Sequence, residues 1–240
     1  MTLLAIRQQF CKISGRYDLA TTDAADFDTD NGADFYIKAG QRMIDRMAEN
    51  AKSKGRIFTD VAAGCWYLDF QNCRAVTEVW VNNDESRYQL EISALADLRD
   101  YYRSTVADTD QGAPKYYSPA FLRAVDADDI TSVGTFFNHV KTDDDGTYNG
   151  VVIFPAPDEA YTVEIQGYFY QTILSLNTSA NFWTVAHPDI LVKAALYKLE
   201  TFYRNTEGAK DFLSDITLDL QDLDKDTVME DVAQLEEMEG

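Results

Sequence analysis

The hydrophobic period of this chain changes twice along its length, and that alternation limits the fold more than any single motif. Leu3, Ile6, Phe10 and Ile13 recur at three-to-four-residue intervals, with Thr2 placed to cap the start and Gly15 to close the end. This predicts a helix over about 2–14. Ile37, Gly40, Ile44 and Met47 repeat the spacing, with Asp34, Lys38, Arg42 and Glu49 at polar positions, and predict a second helix over about 33–50. From Arg56 the period falls to two. Tyr88, Leu90 and Ile92 alternate with Arg87, Gln89 and Glu91 behind a hairpin turn at Asn82–Ser86 and a strand over Val76–Val81. Ser93 to about Arg103 reads as a short helix and Phe121–Val125 as a strand. Val151–Phe154, the turn Pro155–Ala160 and the alternating Tyr161–Phe169 form the best hairpin signal. Helical spacing returns at Pro188. It predicts a helix over Asp189 to about Asn205, with Glu200 and Arg204 set for an i,i+4 pair, and a last stretch from Asp211 to about Leu223 carrying Phe212, Ile216 and Leu220.

The expected class is therefore α+β: a helical bundle assembled from both ends of the chain with an antiparallel β-rich module inserted between its halves. The segments divide as 1–55 for the N-terminal helices, 56–182 for the module, and 183–240 for the C-terminal helices and an acidic tail.

Charge narrows the function. Asp and Glu number 41 against 21 Lys and Arg, a net charge of −20 at pH 7. A protein that grips duplex phosphates needs a basic footprint, so nucleic-acid binding is not expected. An anionic wall instead suits a passage through which DNA slides without sticking. Three cysteines, Cys11, Cys65 and Cys73, show no C-x-x-C spacing, which argues against a disulfide framework or a zinc site and for a reducing compartment. No apolar run approaches the length of a membrane span, and the N-terminus lacks the long apolar stretch of a signal peptide, so a soluble protein is expected.

The signatures of catalysis and metal binding are missing. Asp26, Asp28 and Asp30 start like a calcium loop, but Asn31 holds the glycine position and Ile37 stands where the bidentate Glu belongs; Asp143–Gly146 fails in the same way. The two histidines, His139 and His187, form no metal-ligand cluster, and neither G-x-S-x-G, G-x-G-x-x-G nor a P-loop occurs. With 41 carboxylates some pair must lie close in any fold, so a proposed acid–base dyad has no weight. No catalytic residue, cofactor or metal is expected, and the protein is not expected to be an enzyme.

Two features point to binding. The 14 Tyr, 13 Phe and 3 Trp include Trp66, Tyr67, Phe70, Tyr116, Tyr117, Tyr168 and Tyr170, which could stack sugars or anchor a receptor, or equally pack a core. Residues 211–240 hold eleven acids against the single cation Lys225, which is half of the net charge. Within that segment Val228, Val232, Leu235 and Met238 recur every three or four residues beside Asp224 and Asp226. These six are the candidate partner-binding residues: either a solvated tail or an arm that orders on a basic groove of a partner.

The segments Thr2-Leu3-Leu4-x-x-Arg7, Ser14–Leu19, Asn31–Arg42, Phe154–Tyr161 and His187-Pro188 leading to Leu199-Glu200-x-x-Tyr203-Arg204-Asn205 resemble adaptor, or head-to-tail connector, proteins of tailed bacteriophages, particularly short-tailed ones. The resemblance covers both helical ends and one hairpin, and matches about 56–150 poorly. It implies a non-enzymatic virion protein at the portal vertex, made in the host cytoplasm. Such a protein forms a ring, commonly of twelve copies, beneath the portal protein, extends the DNA channel used in genome ejection, and docks tail proteins of the nozzle or fibres. DNA would pass the lumen without specific binding, and no membrane is involved. The alternative reading is a carbohydrate- or receptor-binding β module of a virion, supported by the aromatic strands.

Overall fold

The structure, a computed structural model, describes residues 1–20, 27–48, 53–83, 86–101, 111–119 and 149–238. The chain divides into two compact units: Met1–Ser53 with Tyr170–Gly240, and Lys54–Phe169.

The first unit is helical. Helix α1 spans Leu3–Ser14 and is closed by Gly15 at φ +69°, a left-handed conformation that glycine adopts without a Cβ penalty. Thr2 leads into α1, but its side chain makes no capping bond, contrary to expectation; its carbonyl accepts from Ile6 instead. A single 3-10 turn, Tyr17–Leu19, precedes α2, which runs Ala33–Met47 and ends a turn before the predicted limit. After the β unit come a five-residue helix α4, Phe182–Ala186, then α5, Pro188–Phe202, and α6, Thr206–Met238. The sequence pattern did not announce α4. It is held by a reciprocal cap in which Thr184 N–H donates to Asn181 Oδ1 and Asn181 N–H donates to Thr184 Oγ1. Pro188 stands at the first position of α5, where its missing N–H costs nothing. One core joins these helices: Leu3, Ile6 and Phe10 of α1, Ile37 and Ile44 of α2, Leu191, Ala195 and Leu199 of α5, and Ile216, Leu220 and Leu223 of α6. Gly40 lets α2 and α5 close, since a Cβ there would stand 2.7 Å from the Ala195 backbone nitrogen.

Among its described residues the second unit holds two four-stranded sheets, ordered β1-β8-β3-β4 and β2-β7-β6-β5. Their strands are β1 Lys54–Val61, β2 Tyr67–Phe70, β3 Cys73–Asn82, β4 Arg87–Gln89, β5 Glu91–Ile92, β6 Tyr116–Ser118, β7 Asn149–Phe154 and β8 Tyr161–Phe169. Pairing is antiparallel except between β5 and β6. Val79, Val81, Val163 and Ile165 from one sheet share a core with Leu68, Tyr117, Val151 and Ile153 from the other. A short helix, α3 Leu95–Tyr101, contributes Leu98 to a smaller cluster with Trp66, Val152 and Ala156.

Several sequence expectations are corrected here. Val151–Phe154 and Tyr161–Phe169 are not a hairpin: β7 pairs with β2 and β6, while β8 pairs with β1 and β3. The run Val151–Phe154 is continuously apolar because Val151 and Ile153 face one cluster and Val152 the other, so β7 is covered on both sides. Pro155 and Pro157 cannot donate to a ladder, and Ala156 instead bridges to Gln111 and accepts from Gly112 N–H, which carries the chain from one sheet to the next. The strand expected over Tyr88–Ile92 likewise breaks: Leu90 donates to Val79, and Glu91 and Ile92 pair with β6 in the other sheet. Arg204 lies past the end of α5 at φ +60°, and the Glu200 carboxylate accepts from the Asn205 amide at 2.8 Å in place of the expected i,i+4 pair. Helix α6 continues to Met238, well beyond Leu223. The strand expected at Phe121–Val125, the Asp143–Gly146 loop and His139 lie outside the described residues.

Candidate functional site

The helical unit carries a buried arginine, two buried acids and a set of exposed apolar side chains. Arg7 stands on the apolar stripe of α1 between Ile6 and Phe10, a position that burial denies to a cation unless it is fully paired. It is paired. Its guanidinium grips Asp34 with two bonds, Nε to Oδ1 at 3.0 Å and Nη2 to Oδ2 at 3.1 Å, and its Nη1 donates to the Phe27 carbonyl at 2.8 Å and to Asn177 Oδ1 at 2.9 Å. Asn177 Nδ2 in turn donates to the Asp28 carbonyl at 2.7 Å. One buried fork thus ties α1, the start of α2, the loop before it and the segment before α4. The acidic loop is engaged in the same work: Asp30 Oδ1 accepts from Gly32 and Asp34 N–H, capping α2, and Asn31 Nδ2 donates to the Asp18 carbonyl. Among the described residues no group of three His, Cys, Asp or Glu side chains gathers as a metal site would require.

Asp45 is the second buried acid of α2. It accepts from the Trp183 indole at 2.6 Å and from Gln171 N–H at 3.2 Å, and burial holds its pKa above the ordinary carboxylate range despite those bonds. With Asp34 and Asp45 buried, α2 carries the exposed Arg46 and the half-buried Lys38 and Arg42, the last stacked on Tyr170 at 4.4 Å.

An aromatic ladder crosses the end of the unit. Phe10 stacks on Tyr36 at 6.1 Å, Tyr36 meets Phe35 at 5.3 Å and Phe202 at 6.1 Å, and Phe202 meets Tyr203 at 5.4 Å, over which Arg16 lies at 5.2 Å. Phe35 and Phe202 are 69% and 65% exposed, far more than a packed aromatic allows. A groove of about 390 Å³ opens elsewhere on the unit, lined by Ile13 of α1, Val192 and Leu196 of α5 and Phe212 of α6. Lys193 reaches across from α5 to Asp219 of α6 at 2.7 Å, and this acid raises the lysine's pKa.

The six candidate partner-binding residues all fall on α6. Asp224 is exposed one residue past Leu223, the last buried position described. Asp226, Val228, Val232, Leu235 and Met238 lie on the continuing helix, and their side chains are outside the described residues. Of the seven aromatics singled out in the sequence, Trp66, Phe70 and Tyr117 are buried, Tyr67 and Tyr116 pack against the small cluster, and Tyr168 and Tyr170 lie under Arg74 and Arg42. The Arg7 fork and the exposed ladder were missed. An arginine on an apolar stripe was the available signal for the first, and the second brings together residues from three separate helices, which no local pattern displays.

Large apolar side chains held in solvent are what an adaptor, a structural protein that joins others, would present. A family model for the SU10 adaptor protein matches residues 1–234, and the chain belongs to that family. The tailed-phage adaptor resemblance seen in the sequence is thereby borne out, and the match includes the stretch 56–150 that the resemblance matched poorly. A comparison with curated proteins found no match. Among the described residues no helix is long and apolar enough to cross a membrane.

Proposed function

We propose that the protein forms a ring beneath the portal of a tailed phage, with twelve copies as the expected number, extends the DNA channel and receives tail proteins. The observation that carries this reading is the family match over almost the whole chain, joined to a helical unit that keeps large apolar side chains in solvent. The helices of both chain ends act as the bundle at the core of each copy, and the two-sheet unit is available to tail components. A net charge of −20 suits a lumen that DNA must traverse without adhering.

Helix α6 supplies the arm. Among the described side chains its buried positions are Ile216, Leu220 and Leu223, and the helix runs on to Met238. At about 100° per residue, Val228, Val232 and Leu235 fall roughly a third of a turn away from the line of Ile216 and Leu223, so the apolar stripe of the sequence shifts round the helix past Leu223. A stripe so placed fits a groove on the portal, with Asp224 and Asp226 meeting basic side chains there. The test is co-sedimentation of portal with the full chain and with a chain lacking 224–240, over a salt series. The truncated chain should keep its fold and lose portal affinity, and binding of the full chain should weaken with salt. Equal binding by both chains overturns the role of the arm, and a folded chain that shows no affinity for portal overturns the adaptor placement.

A further inference from the structure

Two apolar features of the helical unit face solvent at different places. The first is a projection. Phe35 at the start of α2 and Phe202 at the end of α5 both lie against the Tyr36 ring, at 5.3 and 6.1 Å, yet remain 69% and 65% exposed. The second is the groove of about 390 Å³ lined by α1, α5 and α6. Its walls are chiefly apolar: Ile13, itself 60% exposed, Val192, Leu196 and Phe212, with Lys193 at its margin bonded to Asp219. Helix α5 takes part in both features and fixes their separation. Phe202 follows Val192 by ten residues and Leu196 by six, which places it about 9–15 Å further along the axis and roughly a quarter to a third of a turn round from the groove. The projection therefore cannot fill the groove of its own copy.

We propose that Phe35 and Phe202 of one copy seat in the groove between α1, α5 and α6 of the next copy. The inference rests on the ring reading and assigns its lateral contact. An apolar projection and a pocket that receives it, at different places on one chain, make a head-to-tail contact, the kind that repeats from copy to copy and closes into a ring. The sizes agree. An apolar cavity of about 150 Å³ holds one benzene ring, so the groove of about 390 Å³ has room for two. Copies of net charge −20 repel through their charged faces, and an apolar contact joins them without setting further like charges against each other. A whole aromatic side chain buries about 150–250 Å², so two rings that are about two-thirds exposed bury about 200–330 Å² on their side, well below the roughly 800 Å² per partner of a stable interface. The contact thus holds copies that a portal has already placed side by side and does not assemble them in free solution.

The test uses the full chain on the portal, with the photo-activated aromatic p-benzoylphenylalanine in place of Phe202 so that the bulk of the ring is kept. Irradiation should give a covalent dimer on a denaturing gel, and mass spectrometry should join position 202 to peptides carrying Ile13 or Phe212 of a second copy. A join to the Phe35 or Phe202 segment of the second copy, a join to the portal, or a full ring that yields no dimer overturns the pairing. F35S/F202S removes the projection and I13S removes one wall of the groove. Each should raise the concentration needed for a full ring by about tenfold or more, with copies per portal counted by negative-stain microscopy and mass photometry. Salt does not screen apolar contact, so this loss should persist as salt is raised, unlike the portal affinity supplied by the acidic arm. All three side chains are 60% exposed or more, so melting temperatures should stay close to the parent's. A full ring at parental concentration from either variant overturns the pairing. A parent chain that binds the portal as isolated copies overturns the ring reading instead, and the pairing falls with it.

Discussion

Arg7 shows how one residue can organise a unit and how little of that is visible locally. Its place on the stripe Leu3, Ile6, Phe10 is evident from spacing, and a buried arginine must have a partner. The partners, Asp34 and Asn177, stand 27 and 170 positions away, beyond the reach of any periodicity. Replacing Arg7 by Met leaves Asp34 buried without its cation and should destabilise the chain by about 3–5 kcal/mol, whereas R7M combined with D34L should recover most of that loss. Urea denaturation of the three chains distinguishes these outcomes. The β unit carries a different electrostatic marker. Arg87 Nη2 donates to Glu164 Oε2 at 2.8 Å, and this bond, with support from Gln166 and Arg56, holds the Glu164 pKa below its ordinary value near 4.5. A depressed acid contributes stability that is complete above the unfolded pKa and is lost as pH falls through the folded one. E164Q should therefore flatten the acid side of the stability profile below about pH 4.5 and change its shape little above it, as thermal melts across that range would show.

At the scale of elements, the sequence was legible where one face of an element is buried and ambiguous where both are. Helices α1 and α2 each bury one stripe, and their spacing located them to within a few residues; α5 is buried round most of its circumference, and its length and the Pro188 at its start marked it instead. Strand β7 is covered on both sides, so its apolar run marked a strand without revealing its neighbour, and adjacency in sequence wrongly suggested β8. Helix α4 depends on one reciprocal cap between Asn181 and Thr184, too short a signal for periodicity to find. Gly40 appeared in the sequence only as a member of the α2 stripe. Its role is closeness: a Cβ would meet the Ala194 carbonyl carbon at 2.8 Å as well as the Ala195 nitrogen at 2.7 Å, and neither is a flexible side chain that can move aside. In an isolated helix Gly to Ala would stabilise by about 1 kcal/mol. G40A should do the reverse here, lowering stability by about 1–3 kcal/mol as α2 and α5 are forced apart, with the loss measured by chemical denaturation.

For the whole molecule, charge decides what the isolated protein does. Copies bearing −20 repel one another before an interface between them can form. The balance depends on range. In about 0.01 M salt the repulsion extends to about 30 Å, whereas at physiological ionic strength charges beyond about 8 Å are screened. The free chain should therefore sediment as a monomer at low salt and neutral pH. Added salt screens the repulsion, and lowering the pH toward the isoelectric point near 4.3 removes the net charge that causes it, so self-association should increase under either change. Sedimentation velocity across salt and pH checks both regimes, and a stable ring of the free chain at low salt and neutral pH would show that apolar contact between copies outweighs their charge.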